Sequence, residues 1–75
     1  MEINKFIKQF ASQFEETSIE VFKPETNFRD LGEWDSLIAL SVIAMIDEDY
    51  EKQISGAELR GVNTIQELFN LVKSK

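Results

Sequence analysis

The chain has 75 residues, with 8 Lys or Arg against 14 Asp or Glu, and it contains no cysteine and no histidine. This length predicts a single domain, residues 1–75, with a small core, and the missing residue types exclude a disulfide scaffold, a thiolate zinc site and catalysis by a cysteine or histidine. The net charge of −6 argues against nucleic acid or an anionic membrane as a partner and favours a basic protein surface.

The first predicted element is an amphipathic helix of roughly residues 2–16, because its apolar residues recur at helical spacing. The connection that follows, residues 17–34, contains the only proline of the chain, Pro24. A connection of this length without regular structure is unusual in a small domain. Its apolar residues are therefore expected to pin it to the other helices: Ile19, Val21, Phe22, Phe28 and Leu31.

A second helix is predicted at about residues 36–51, with Asp35 as its N-cap. Residues 37–46 are apolar except for Ser41, and a chain this short cannot surround such a helix completely. Some side chains must therefore lie near the surface, among Leu37, Ile38, Leu40 and Met45. Either the first loop covers them or they form a docking patch for a partner.

An acidic run closes the second helix, comprising Asp47, Glu48 and Asp49. Adjacent acids on a helix point in different directions, whereas a calcium loop needs spaced oxygen ligands and a tight glycine turn. We therefore expect a solvated helix end, suited to a basic partner, rather than a cation site.

Two further helices are predicted from their caps. Ser55 and Glu58 match a capping box at the start of a short helix over 56–61, and Thr64 and Glu67 match a second box before the last helix. No alternating pattern indicates a strand. The predicted fold class is all-α, a small four-helix bundle with three main helices, one short helix and a long first loop.

Ser36 follows the predicted cap of the second helix, so its hydroxyl should point outward. A phosphate ester at this position would be favoured by the free N–H groups and the positive end of the helix dipole. A serine is also an ordinary occupant of a first helical position, and Asp-Ser-Leu alone is a weak signal.

The segment from Phe28 to Leu37 resembles the phosphopantetheine attachment region of acyl carrier proteins, which have Asp-Leu-Gly shortly before Asp-Ser-Leu at the start of the second helix. The resemblance covers nearly the whole chain. It implies that a separate transferase esterifies Ser36 with 4′-phosphopantetheine from coenzyme A, and that acyl or aminoacyl groups ride as thioesters on the thiol of this arm. It further implies that Asp35 caps the helix and helps to place Mg²⁺ in the transferase complex, and that Leu37 touches partner enzymes.

Two departures from the family pattern matter. Glu33 and Trp34 both stand between Gly32 and Asp35, where the family usually has one residue. Trp34 is expected to fold onto the bundle with its indole N–H on a carbonyl, the alternative being a wall beside the arm. The early turns of the second helix are apolar where fatty-acid carriers are acidic, which favours a specialised pathway such as polyketide, nonribosomal-peptide or D-alanyl transfer.

The composition predicts a soluble, cytoplasmic and non-enzymatic protein without membrane insertion, and the resemblance implies that it is a carrier, which we expect to be a monomer. Its expected partners are a phosphopantetheinyl transferase, a loading ligase, and downstream acyltransferases or synthases. The expected partner surface comprises Leu37, Ile38, Leu40, Ser41, Asp47 and Glu48. The alternative is an interaction module of the same fold whose serine is never modified.

Overall fold

Four α-helices follow one another in this computed structural model, which describes residues 2–75. They are α1 (Ile3–Ala11), α2 (Ser36–Tyr50), α3 (Gly56–Arg60) and α4 (Ile65–Lys73). Helix α1 packs against both α2 and α4, and α3 packs against α2. No strand occurs among the described residues, where the only β-type pairing is an isolated bridge between Asn27 and Thr64. The predicted all-α four-helix fold is confirmed.

The core is built from the apolar faces of all four helices and from two phenylalanines of the first loop. Phe10 lies at its centre and contacts four other aromatic rings. No polar side chain is buried among the described residues. The fully buried large side chains are Phe6, Phe10, Phe28, Ile46, Ile65, Leu68, Val42 and Val72.

Helix α1 ends at Ala11, five residues before the predicted end. The chain continues in turns, and Phe14 remains buried. The backbone N–H groups of Glu15, Glu16 and Thr17 do not bond to carbonyls of the preceding turn. They donate instead to the carboxylate of Glu33. The N–H groups of Gln13 and Phe14 already bond three residues back, to the Phe10 and Ala11 carbonyls, so the helical pattern is lost before Glu33 takes the donors that would have extended it.

The first loop contains two short 3₁₀ turns, Ile19–Val21 and Phe28–Asp30. It is tied to the start of α4 by backbone hydrogen bonds, among them Ile65 N–H to the Thr26 carbonyl at 3.2 Å. Phe28 is fully buried as predicted, but Ile19 and Val21 are 55% and 43% exposed. The prediction that these two residues pin the loop is therefore wrong.

The predicted helix caps are confirmed. Both capping boxes form, at Ser55 with Glu58 and at Thr64 with Glu67. Helix α2 ends at Tyr50, and the residue after it, Glu51, adopts the left-handed conformation at φ 56°. Within residues 2–75, the helices are too short and too polar to cross a bilayer.

Candidate functional site

Ser36 is the first residue of α2, and its side chain is exposed. Asp35 caps the helix as predicted, because its carboxylate accepts the Ile38 N–H at 2.8 Å. The N–H groups of Ser36 and Leu37 find no acceptor among the described residues. An oxyanion attached to Ser36 would therefore meet free N–H groups and the positive end of a 15-residue helix.

The hydroxyl of Ser36 differs from those of most serines in the chain. Four others are engaged locally as caps or turn donors: Ser12, Ser18, Ser55 and Ser74. Among the described residues the Ser36 hydroxyl makes no hydrogen bond, and the same is true of Ser41 in the middle of α2. Of these two, only Ser36 also lies at a helix start.

Glu33 anchors the segment before the serine to the turns that follow α1. Its carboxylate accepts the Glu15 N–H at 2.7 Å, the Thr17 N–H at 2.9 Å and the Thr17 hydroxyl at 2.7 Å, with the Glu16 N–H at 3.1 Å. The Thr17 hydroxyl, together with these N–H groups, lowers the pKa of the Glu33 carboxyl. One of the two residues between Gly32 and Asp35 thus has a structural role, three positions before Ser36.

Trp34 both packs on the bundle and lines the cleft, the two placements that the sequence left open. Its ring packs on Phe28 at 4.7 Å between centroids and stacks on Phe10 at 6.3 Å, so it does fold onto the bundle. It also lines the cleft beside Ser36. The prediction that the indole N–H bonds to a carbonyl is wrong, since no carbonyl of the described residues accepts it. The ring is half-buried, and its N–H is accessible to solvent.

A cleft of about 490 Å³ opens beside Ser36, between α2 and α3. This volume lies in the usual range for small-molecule sites. Its apolar lining comes from Trp34, Ala39, Leu40, Ile43 and Leu59. Its polar lining comes from Asp35, Ser36, Arg29 and Arg60. A group attached to Ser36 would therefore have an apolar surface and two cations within the same cleft.

The predicted partner residues of α2 lie at different depths. Leu37 is 73% exposed and Leu40 is 62% exposed, whereas Ile38 is half-buried against the core. Ser41 is exposed. Met45 is buried, so it does not share in the surface. The first loop does not cover Leu37 or Leu40.

The acidic end of α2 is solvated, as expected. Asp47 and Glu48 are exposed, and Asp49 accepts a hydrogen bond from the Gln9 amide at 3.2 Å. No group of three or more acidic residues among residues 2–75 is arranged to hold a metal ion.

Sequence reasoning missed Glu33, Arg29 and Arg60 at this site. Nothing local marks Glu33, because its partners lie 16 to 18 positions earlier in the chain. The two arginines could have been noticed from the sequence, because they are the only arginines in an acidic chain.

One family model, described as "Phosphopantetheine attachment site", matches residues 5–72. The match runs from α1 to the last turn of α4 and includes every residue of the site. No curated protein matches the chain at a significant level. The exposed hydroxyl at a helix start, with free N–H groups beside it and a cleft next to it, fits a serine that bears a phosphodiester-linked arm.

Proposed function

The chain belongs to the phosphopantetheine attachment site family, and we propose that Ser36 is the serine that holds the prosthetic group. The family binds 4′-phosphopantetheine covalently on a serine, so the chain is a carrier of this group. One observation carries the choice of Ser36: its exposed hydroxyl is unengaged and lies at the N-terminus of a long helix. The other unengaged serine, Ser41, lies within the helix, where no N–H group is free.

Attachment needs only a nucleophilic oxygen from this chain. The Ser36 hydroxyl gives its proton to a base on the transferase, and its oxygen forms a new bond to the phosphorus of coenzyme A that carries the pantetheine. The P–O bond of the pyrophosphate breaks, and adenosine 3′,5′-bisphosphate leaves. Asp35 keeps its carboxylate on the Ile38 N–H and so fixes the helix start that presents the oxygen. When bound, the arm supplies the thiol that this chain lacks.

The carried cargo is an acyl or aminoacyl group held as a thioester. The pathway is a specialised one rather than bulk fatty-acid synthesis, because the exposed start of α2 is apolar where a basic fatty-acid enzyme would need acidic residues. Leu37 and Leu40 are the most exposed large apolar residues described. They suit a loading ligase and downstream acyltransferases or synthases with an apolar docking surface.

The proposed docking surface joins two parts of α2. Its first part, called the α2 patch below, consists of three apolar residues and one serine: Leu37, Ile38, Leu40 and Ser41. Asp47 and Glu48, at the other end of the helix, offer negative charge to a basic partner and steer its approach. The chain itself is proposed to have no catalytic activity, and the cytoplasmic location stays a prediction.

The test is the intact mass of the protein after coexpression with a broad-specificity phosphopantetheinyl transferase. We expect the wild type to gain the mass of one phosphopantetheine and the Ser36→Ala variant to gain nothing. Ser41→Ala is the matched control, since it removes the other unengaged hydroxyl of the same helix, and it should be modified like the wild type. Modification that persists in Ser36→Ala would contradict the assignment. No modification of the wild type by any transferase would instead favour an unmodified interaction module.

A further inference from the structure

Both arginines of the chain line the cleft beside Ser36. Arg29 and Arg60 are far apart in sequence, and the chain around them carries a net charge of −6. All six other basic residues are lysines outside this cleft. The cleft therefore holds two guanidinium groups and one carboxylate, that of Asp35, on an otherwise acidic protein.

The two arginines differ in burial and in hydrogen bonding. Arg29 is half-buried, and its guanidinium donates to the carbonyls of Val62 at 2.9 Å and Leu59 at 3.0 Å. These bonds hold the loop after α3 in place and fix Arg29 as part of the cleft wall.

Arg60 is exposed at the last position of α3. Its guanidinium folds back along the helix, with Nη1 3.4 Å from where a Cβ on Gly56 would lie. Among the described residues it makes no hydrogen bond and no ion pair; the one ion pair there joins Lys75 to Glu58. Asp35 lines the same cleft, and its carboxylate accepts the Ile38 N–H.

We propose that Arg60 binds the phosphodiester of the arm and so draws the first part of the arm into the cleft. This inference rests on the proposed function, because attachment places an anion on the Ser36 oxygen whatever cargo is carried. A guanidinium can bond two phosphate oxygens at once, and it holds phosphate better than an ammonium does. The N-terminus of α2 acts on the same anion.

The floor of the cleft suits the carbon chain that follows the phosphodiester. Trp34, Ala39, Ile43 and Leu59 offer an apolar surface next to the charged group, and burying apolar carbon there is favourable. In this arrangement the arm rests against the protein until a partner enzyme takes it out. Arg60 is a positioning residue for the arm.

The test compares the melting temperatures of apo and holo protein in the wild type and in Arg60→Gln. Because the contact between the guanidinium and the phosphodiester exists only in holo protein, we expect attachment to raise the Tm by about 4 °C more in the wild type than in Arg60→Gln. Lys23→Gln removes an equal charge outside the cleft and should behave like the wild type. Arg60→Lys should fall between. In 1 M salt the difference should largely vanish, since the screening length falls to about 3 Å.

A second measurement follows the Arg60 side chain directly. The Nε–Hε resonance of Arg60 should shift between apo and holo protein, and the resonance of Arg29 should shift less. The same rise in Tm for the wild type and Arg60→Gln, with no shift of the Arg60 resonance, would overturn the proposal. The Tm difference between wild type and Arg60→Gln could also be absent in holo protein and present only when the arm carries a succinyl thioester. That result would overturn the proposal, because Arg60 would then bind the carboxylate of the cargo and not the phosphodiester.

The intact mass distinguishes a failure of the proposed role of Arg60 from a failure of the proposed carrier function. If Arg60→Gln takes up the arm fully but shows no loss of the holo-specific stabilisation, Arg60 has no such role and the carrier function stands. If neither the wild type nor Arg60→Gln takes up the arm, the proposed function itself fails.

Discussion

At the scale of single residues, Glu33 explains how the chain accommodates two residues between Gly32 and the cap of α2. Its carboxylate gathers three backbone N–H groups and one hydroxyl beyond the end of α1. These groups would otherwise be free donors at an exposed turn. The hydroxyl and N–H groups lower the pKa of the Glu33 carboxyl, as expected when hydrogen bonds favour the charged form.

Replacing Glu33 by Gln should destabilise the protein at neutral pH, because an amide cannot accept as many bonds as a carboxylate and adds donors of its own. The folded-state pKa of Glu33 lies below its unfolded-state value. Its contribution is therefore present above about pH 4.3 and is lost as the pH falls through the folded-state pKa. The Tm difference between wild type and Glu33→Gln should be largest near pH 7 and should shrink on acidification.

Glu25→Gln is the control for Glu33→Gln, since Glu25 is exposed and its side chain makes no hydrogen bond among the described residues. It should change the Tm little at any pH. A Glu33→Gln variant as stable as the wild type at pH 7 would show that the four donors are equally well satisfied by water.

At the scale of elements, α2 serves both the core and the candidate site. One face supplies Val42 and Ile46 to the core, and the exposed start carries Ser36 with Leu37 and Leu40 beside it. The sequence predicted this division because a helix that is apolar all round cannot be covered in so small a chain. It could not place Ile38 or Met45, since their depth depends on how α2 is rotated against its neighbours.

Replacing Leu40 by Gln should weaken recognition by a phosphopantetheinyl transferase if the α2 patch docks partners. We expect the KM for the carrier to rise about tenfold, which corresponds to about 1.4 kcal/mol of docking free energy. The melting temperature should change by less than about 3 °C, because surface substitutions cost little.

Ile19→Gln is the matched control for Leu40→Gln. Ile19 is another exposed aliphatic residue, 55% accessible, but it lies in the first loop rather than on α2. Its KM should equal that of the wild type. An unchanged KM for Leu40→Gln, or an equal rise for Ile19→Gln, would move the docking surface away from the α2 patch.

At the scale of the whole molecule, the predictions that succeeded in detail are the helix caps, which depend on neighbours in sequence. The capping boxes at Ser55 and Thr64 and the cap at Asp35 each involve residues three positions apart, so the local pattern contains the whole interaction. The early end of α1 and the exposure of Ile19 depend on contacts between distant segments. The same is true of the cleft, which forms only when α3 packs against α2.

The stability of the whole protein should be level from about pH 6 to pH 9, because the chain has no histidine to titrate there. Among the described residues, three carboxyls have a lowered pKa, each mainly through a hydrogen bond that favours the charged form. The main donors are the Thr17 hydroxyl for Glu33, the Lys75 ammonium for Glu58 and the Thr64 N–H for Glu67. Their stabilisation is present above about pH 4.3 and is lost as the pH falls. Burial raises the pKa of Tyr50, with help from Asp49, so stability should also decline above about pH 10.

Thermal unfolding from pH 3 to pH 11 checks this profile. The Tm should fall at both ends and stay nearly constant between them, and Tyr50→Phe should weaken the alkaline decline. A transition centred between pH 6.5 and pH 8 would contradict the assignment of the titrating groups.

The double position of Trp34 has an optical consequence. It is the only tryptophan of the chain, and one side of its ring stacks on the core while another forms the wall of the cleft. Indole emission responds to the polarity around the ring, so the protein carries a fluorophore of its own beside Ser36, the proposed attachment residue. The same signal would follow unfolding of the core in denaturant and the entry of the arm into the cleft, with no label attached.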